Sequence, residues 1–333
     1  MQKLEFSLII PVYNRPVEVE ELFESLVTQT NKNFEVVIVE DGSTEKSDEV
    51  VKRYQDRLDI KYFYKENTGP GISRNYGYDR AKGNYCIFLD SDCILPPQYF
   101  QTVVDNLKET YVDAFGGPDK AHESFTDLQK AINYSMTSFF TTGGIRGGGE
   151  KLDKFYPRSF NMGFSREVFE ETGGFPSHRF AKAKAAGEDM DLSITIKKKG
   201  FSTALFKNAH VYHKRRTSWS QFRKQVANFG YARITIYKRH PESLKWLHFA
   251  PAVFVVGILS LILLSIFVSP LFLLPIPAHV LMLFIDASIQ NKSSVIGAMA
   301  VVTSYIQLIG YGLGFMKSIW NHVILGKEKV PGT

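Results

Sequence analysis

Four short apolar runs in the first ninety residues, separated by stretches of helical spacing, restrict the fold more than any other feature of the chain. Phe6–Ile10, Phe34–Val39, Ile60–Tyr64 and Tyr85–Leu89 read as strands. Val17–Gln29, Lys46–Arg57 and Ile72–Ala81 read as helices, the first with Val19, Leu22, Phe23 and Leu26 on one face. Phe34–Val39 is almost continuously apolar, as a strand covered on both faces must be. Strand–helix repetition requires right-handed crossovers and a mostly parallel sheet. Such sheets bind ligands at the carboxyl ends of their strands. Here those ends are Pro11-Val12-Tyr13-Asn14, Glu40-Asp41-Gly42-Ser43 and Asp90-Ser91-Asp92, so three polar clusters converge on one edge.

Asp90-Ser91-Asp92 carries the most chemistry of the three. Two carboxylates one residue apart at the open end of a buried strand can hold a divalent cation. Mg²⁺ and Mn²⁺ take oxygen ligands and share them with a substrate's phosphates. The alternative is an ordinary surface turn. Cys86 and Cys93 flank the triplet without metal-ligand spacing to a histidine, and read as free thiols in a reducing compartment. The apolar run after Met1 is too short for a signal peptide and ends at Pro11.

The chain has 333 residues, enough for two domains or a domain with an appendage, and its 44% hydrophobic content excludes a disordered chain. Its net charge of +6 is concentrated. Lys214, Arg215, Arg216, Arg223, Lys224, Arg233, Lys238, Arg239 and Lys245 crowd the stretch before a long apolar tract. Nucleic-acid binding is one reading of that cluster. The apolar span that follows favours a membrane-facing basic collar, with no nucleic-acid partner. Phe249–Val268 is 20 residues without a formal charge, ~30 Å as a helix and the thickness of a bilayer core. Leu271–Ile285 continues it, interrupted by Pro275 and Pro277, and Val295–Met316 adds 22 uncharged residues. Ser269-Pro270 suggests a tight hairpin. Three spans would leave Lys327 and Lys329 on the far side, against the positive-inside rule, so Tyr311–Ile324 is a candidate interfacial or re-entrant segment anchored by Lys317 and Trp320. Between the two regions, Gly143–Gly149 reads as a mobile loop, Ser165 starts a short helix stopped at Gly173-Gly174, and Glu188–Lys199 is a helix stopped at Gly200. The expected organisation is an α/β domain over 1–235, a basic juxtamembrane segment over 236–248, and a membrane region of two or three helices over 249–325.

Five motifs in this order resemble a family 2 glycosyltransferase of the GT-A fold, over about residues 4–215: Ile9-Ile10-Pro11-Val12-Tyr13-Asn14, Val39-Glu40-Asp41-Gly42-Ser43, Gly69-Pro70-Gly71-Ile72-Ser73-Arg74-Asn75, Asp90-Ser91-Asp92 and Gly187-Glu188-Asp189. The resemblance implies a Rossmann-like catalytic domain that transfers a hexose from a nucleoside-diphosphate sugar, with uridine the family-level expectation for the base. Pro11 and Tyr13 would line the base pocket. Glu40 or Asp41 would accept a hydrogen bond from base or ribose, unless Asp41-Gly42-Ser43 only begins the next helix. Arg74 would meet the diphosphate. Asp90 would contact the ribose or a metal-bound water, and Asp92 would bind the Mg²⁺ or Mn²⁺ that neutralises the leaving group. His213 is a candidate third contact to the metal. Asp189 would be the base that deprotonates an acceptor hydroxyl for a single, inverting attack; a helix-capping role suits the same position. Asn161-Met162-Gly163, with Glu188, would form the acceptor side.

The chain departs from one pattern. Polymer-forming membrane synthases of this family carry a Gln-x-x-Arg-Trp motif, whereas Gln221–Arg233 has no Arg-Trp pair. That favours single-sugar transfer to a lipid-linked or glycan acceptor at the cytosolic face of the inner membrane, in contact with membrane lipids, over processive polysaccharide synthesis. A nucleotidyltransferase would need a glycine-rich phosphate loop where Pro11–Pro16 stands. A non-catalytic scaffold would not need Asp92 and Asp189 together.

Overall fold

The computed structural model describes residues 3–143, 155–176 and 187–326. They form two compact units. The first takes in the chain up to 122, together with 155–176 and 188–214. It opens with β1 (Phe6–Val12), α1 (Pro16–Val27), β2 (Phe34–Asp41), α2 (Asp48–Tyr54), β3 (Ile60–Lys65), α3 (Pro70–Tyr78) and β4 (Tyr85–Leu89). Next come β5 (Cys93–Ile94), α4 (Tyr99–Glu109), β6 (Ala114–Gly116) and β7 (Asp119–Lys120). After α5 (Asp127–Thr137) and α6 (Phe139–Thr142) of the other unit, the first resumes with β8 (Asn161–Ser165), α7 (Arg166–Thr172), α8 (Glu188–Lys198), β9 (Thr203–Leu205) and β10 (Val211–His213).

The main sheet has the order β3-β2-β1-β4-β8-β6-β9, parallel throughout except for β8. Its strands alternate between two cores. Leu8, Ile10, Val36 and Ile38 pack with Leu22, Phe23 and Val103 on one face, while Ile9, Val37, Val39 and Phe88 pack with Tyr78, Leu192 and Ile196 on the other. Each fully buried aliphatic side chain contributes about 1.5–3 kcal/mol. Helix α3 comes so close to β1 that a Cβ on Gly77 would stand 2.6 Å from Ile9 Cγ2. Strands β1 and β2 run to Val12 and Asp41, two residues past the apolar runs, because the ladder continues through Pro11↔Val39 and Val12↔Glu40. Helix α3 starts at Pro70 rather than at Ile72, since a first-turn proline gives up no helical hydrogen bond. Ser165 caps α7 through Val168 N–H, and Gly173 ends it at φ 76°.

The second unit is helical, with α5, α6, α9 (Trp219–Arg239), α10 (Ala250–Phe267), α11 (Pro275–Asn291) and α12 (Ser294–Ile319). Three stretches, Trp246–Phe267, Pro270–Asn291 and Ser294–Ile324, are long and apolar enough to cross a membrane. Pro275 and Pro277 do not interrupt a span: they lie in the first turn of α11, after a single turn over Pro270–Leu273. The basic stretch is mostly the ordered helix α9, which runs unbroken through position 235, the expected domain limit; the first unit already ends at Lys214. Tyr311–Ile324 is no separate segment. It continues α12 to Ile319 and closes in a π-turn, and Gly314 packs so tightly that its Cβ would lie 2.1 Å from the Ala227 carbonyl. Thr303 Oγ donates to the Ala131 carbonyl at 3.0 Å, tying α12 to α5. The glycine run from 144 to 149, and Lys327 and Lys329, lie outside the described residues.

Candidate active site

Parallel pairing of β1 with β2 and β4 brings the loops after Val12, Asp41 and Leu89 to one edge. Asn14, held at φ 52°, locks two of them together. Its N–H donates to Ser43 Oγ at 2.7 Å, and its Oδ1 accepts from the Thr44 and Glu45 N–H groups at 2.8 and 3.0 Å. Pro11 is buried inside β1, whereas Tyr13 beyond its end is 51% exposed, open to a ligand's ring.

The two acids ending β2 separate in role. Glu40 has no exposed surface. Its carboxylate accepts from Ser43 Oγ, from Ser47 N–H at 2.8 Å and from Tyr62 Oη at 3.3 Å. Through these bonds Glu40 braces the turn into α2. Asp41 accepts from Thr68 and Gly69 N–H at 2.9 Å each and pairs with Lys65, shaping the approach to α3.

Asp90 and Asp92 stand where the spacing puts them, with partners from distant sequence. The small sheet β5-β10-β7 sets His213 opposite Cys93. His213 Nε2 consequently lies 3.2 Å from Asp92 Oδ1 and 3.7 Å from Asp90 Oδ2, its ring stacked on Phe160 at 5.0 Å. The Cys93 thiol is close by; burial and the two aspartate charges push its pKa well up, and its soft sulfur suits a hard cation less well than the carboxylates do. Arg15, which sequence reasoning did not single out, pairs with Asp92 Oδ2 through a guanidinium that is partly open to solvent. Its one sequence signal was its place in the loop after β1.

Arg74 differs from expectation in the opposite sense. It is only 3% exposed, with Nη2 2.6 Å from Asp90 Oδ1 and Nη1 3.4 Å from Glu188 Oε1. This deeply placed cation pairs with two carboxylates, and among the described residues its Nε–H has no hydrogen-bond partner. Glu188 and Asp189 open α8. Burial, then the Asp189 charge, raise the Glu188 pKa against the opposing pull of Arg74. Asp189 Oδ1 accepts from Met190 N–H at 2.7 Å, and Oδ2 lies 3.7 Å from Arg158 Nη1, a second guanidinium with no sequence motif.

The expected acceptor segment is a buried strand. Asn161, Met162 and Gly163 form β8, inserted antiparallel between β4 and β6. Asn161 is fully buried, donating to the Ala209 carbonyl at 2.8 Å and accepting from Tyr99 Oη at 2.7 Å. Met162 lies in the core, and a Cβ on Gly163 would stand 2.4 Å from the Phe115 ring. Of that group only Glu188 reaches the acidic cluster.

An α/β sheet with this polar edge is the architecture of GT-A glycosyltransferases, and solved enzymes match it over nearly the whole chain. The mannosyltransferase PcManGT of Pyrobaculum calidifontis covers 96% of this chain and 88% of its own, with a TM-score of 0.59 at 15% identity. Residues 1–349 of TarS from S. aureus cover 94% and 91%, with a TM-score of 0.52 at 18% identity. At such identities the likeness is one of fold. The chain belongs to glycosyl transferase family 2, whose family model matches residues 7–173. Among curated relatives, an uncharacterized glycosyltransferase of Rickettsia felis is 48% identical over 135 residues, 40% of this chain and 22% of that protein. Glycosyltransferase GlyA of Streptococcus pneumoniae is 37% identical over 111 residues, 33% and 16% of the two chains. The matched segments thus span a minor part of these relatives' own length.

Proposed function

We propose that this enzyme transfers a single sugar, with inversion, from a nucleoside-diphosphate donor to a hydroxyl of a lipid-linked or cell-envelope glycan, assisted by a divalent cation. The observation that carries the reading is the meeting of Asp90, Asp92 and His213 beside Arg15, Arg74 and the Glu188–Asp189 pair. Asp92 Oδ1 and His213 Nε2, 3.2 Å apart, can face one ion, with Asp90 as the third donor. Those residues would hold the cation, and when bound it supplies positive charge that stabilises the departing diphosphate. PcManGT is a complex with GDP-Man and Mn2+ and TarS one with UDP-GlcNAc, in keeping with nucleotide-sugar use and either base.

In this reading Tyr13, with Pro11 behind it, flanks the base, and Asp41 contacts base or ribose by giving up Lys65. Arg15 exchanges Asp92 for the donor phosphates. Arg74 positions Asp90 and Glu188 from below. Asp189 takes the acceptor proton; the helix N-terminus favours its carboxylate. As the oxygen attacks the anomeric carbon, the bond to the diphosphate breaks on the opposite face, which inverts the configuration. The three apolar helices anchor the chain in the inner membrane, and the basic residues from Lys214 to Lys245 put the catalytic unit in the cytosol.

The test is a nucleotide-sugar panel on purified full-length protein in detergent, reading nucleoside diphosphate release with and without Mn²⁺. Release from one donor that needs the cation is expected. Equal release in excess chelator would remove the cation from the reading.

A further inference from the structure

Helices α9 and α12 pack in parallel at very short range. A Cβ on Gly310 would lie 2.8 Å from Val226, and one on Gly230 2.1 Å from the Tyr311 carbonyl. Small residues at such a contact bring backbones together and leave the larger flanking side chains standing apart. Beside this seam, bounded by α11, runs a groove of about 710 Å³, within the range of built ligand sites. Along α12 its lining extends from Val301 to Lys317, ~24 Å of helix. One half is aliphatic, with Ile276 and Val280 from α11 facing Val301 and Val302. The other half carries Arg223 from α9, level with Gly310, and Lys317 about two turns further along α12. Both cations are exposed, and no acidic side chain is among the described residues that line the groove.

A purely aliphatic groove on a membrane helix would be filled by any hydrocarbon tail. Two cations along one half demand more of an occupant, namely negative charge at one end and a long apolar chain behind it. Guanidinium and ammonium groups pair with phosphate oxygens, and near a membrane surface each favours an anionic lipid. We propose that this groove is a binding site for a phosphate-bearing long-chain lipid, its headgroup between Arg223 and Lys317 and its chain along Val301 and Val280. The site lies within the helical unit and does not depend on the assignment of donor, acceptor or base.

Native mass spectrometry of the full-length protein in detergent tests it, with phosphatidylglycerol and phosphatidylcholine of identical acyl chains as probes. One phosphatidylglycerol should be retained in preference to phosphatidylcholine. Arg223→Gln with Lys317→Gln should weaken that retention about thirtyfold, and the charge-keeping pair Arg223→Lys with Lys317→Arg should restore most of it. Val302→Trp, which fills the aliphatic half, should weaken retention with both charges present. Nucleoside diphosphate binding and melting temperature, followed in every variant, establish that each is folded. Equal retention of the two lipids, or a double glutamine variant that is folded and holds phosphatidylglycerol as before, would overturn the proposal. So would displacement of the lipid by an equal concentration of inorganic phosphate.

Discussion

Replacing Asp189 by Asn separates a catalytic base from a helix-capping residue. The amide keeps the shape of the side chain, and its oxygen can still accept from Met190 N–H, now 2.7 Å from Oδ1. What disappears is one negative charge in the first turn of α8, worth about 0.3–1 kcal/mol to the helix, together with a partly buried pairing to Arg158 that at 3.7 Å is too long for a hydrogen bond. The folded state should therefore lose roughly 1 kcal/mol or less. A lost general base costs about 10²–10⁴ in rate, or about 2.7–5.4 kcal/mol of barrier. The expected result is a melting temperature lower by only a few degrees, unchanged donor affinity by calorimetry, and single-turnover transfer slower by at least a hundredfold. A folded variant that binds donor normally and transfers within threefold of the parent rate would refute the assignment and leave Asp189 as a cap.

Asp92→Ala should lower Mn²⁺-dependent nucleoside diphosphate affinity at least tenfold and leave metal-free binding nearly unchanged; titration calorimetry with and without Mn²⁺ reads the difference. Gly77→Val should destabilise the protein by about 2 kcal/mol or more, because its first side-chain atom already meets Ile9 Cγ2 at 2.6 Å and Val39 Cγ2 at 3.1 Å; thermal unfolding checks it. Glu35 governs a pH dependence. Burial alone would raise its pKa, but Lys61, the Ser7 hydroxyl and the Lys82 N–H outweigh it and hold the carboxyl below its usual range. Its stabilisation is present above the unfolded carboxylate pKa and is lost as pH falls through the lower folded one. Glu35→Gln should thus melt lower at pH 7, and its deficit should shrink on acidification; a deficit that does not change with pH would contradict this.

The strands of the parallel sheet and the acidic triplet were legible in the sequence because they follow from local rules. Buried strands need apolar runs, a helix can start on Pro16 or Pro70, and Gly173 and Gly200 adopt the positive φ that ends a helix. The C-terminal apolar helices were legible from charge-free length alone. Where local rules misled, a distant segment was responsible. Asn161-Met162-Gly163 has the polarity of a site loop, yet β4 and β6 take it up as a strand and bury it. Arg74 and Glu40 have the chemistry of ligand contacts, and their depth in the fold turns them into braces. Sequence alone determined that this chain builds a parallel sheet with carboxylates on its open edge and carries an apolar C-terminal tract. Only the tertiary structure decided which cations those carboxylates meet. Arg15 and Asp92 are 77 residues apart and Arg74 and Glu188 114 apart. No periodicity or turn signal acts over such separations, and only the packing of the sheet brings these groups within reach of one another.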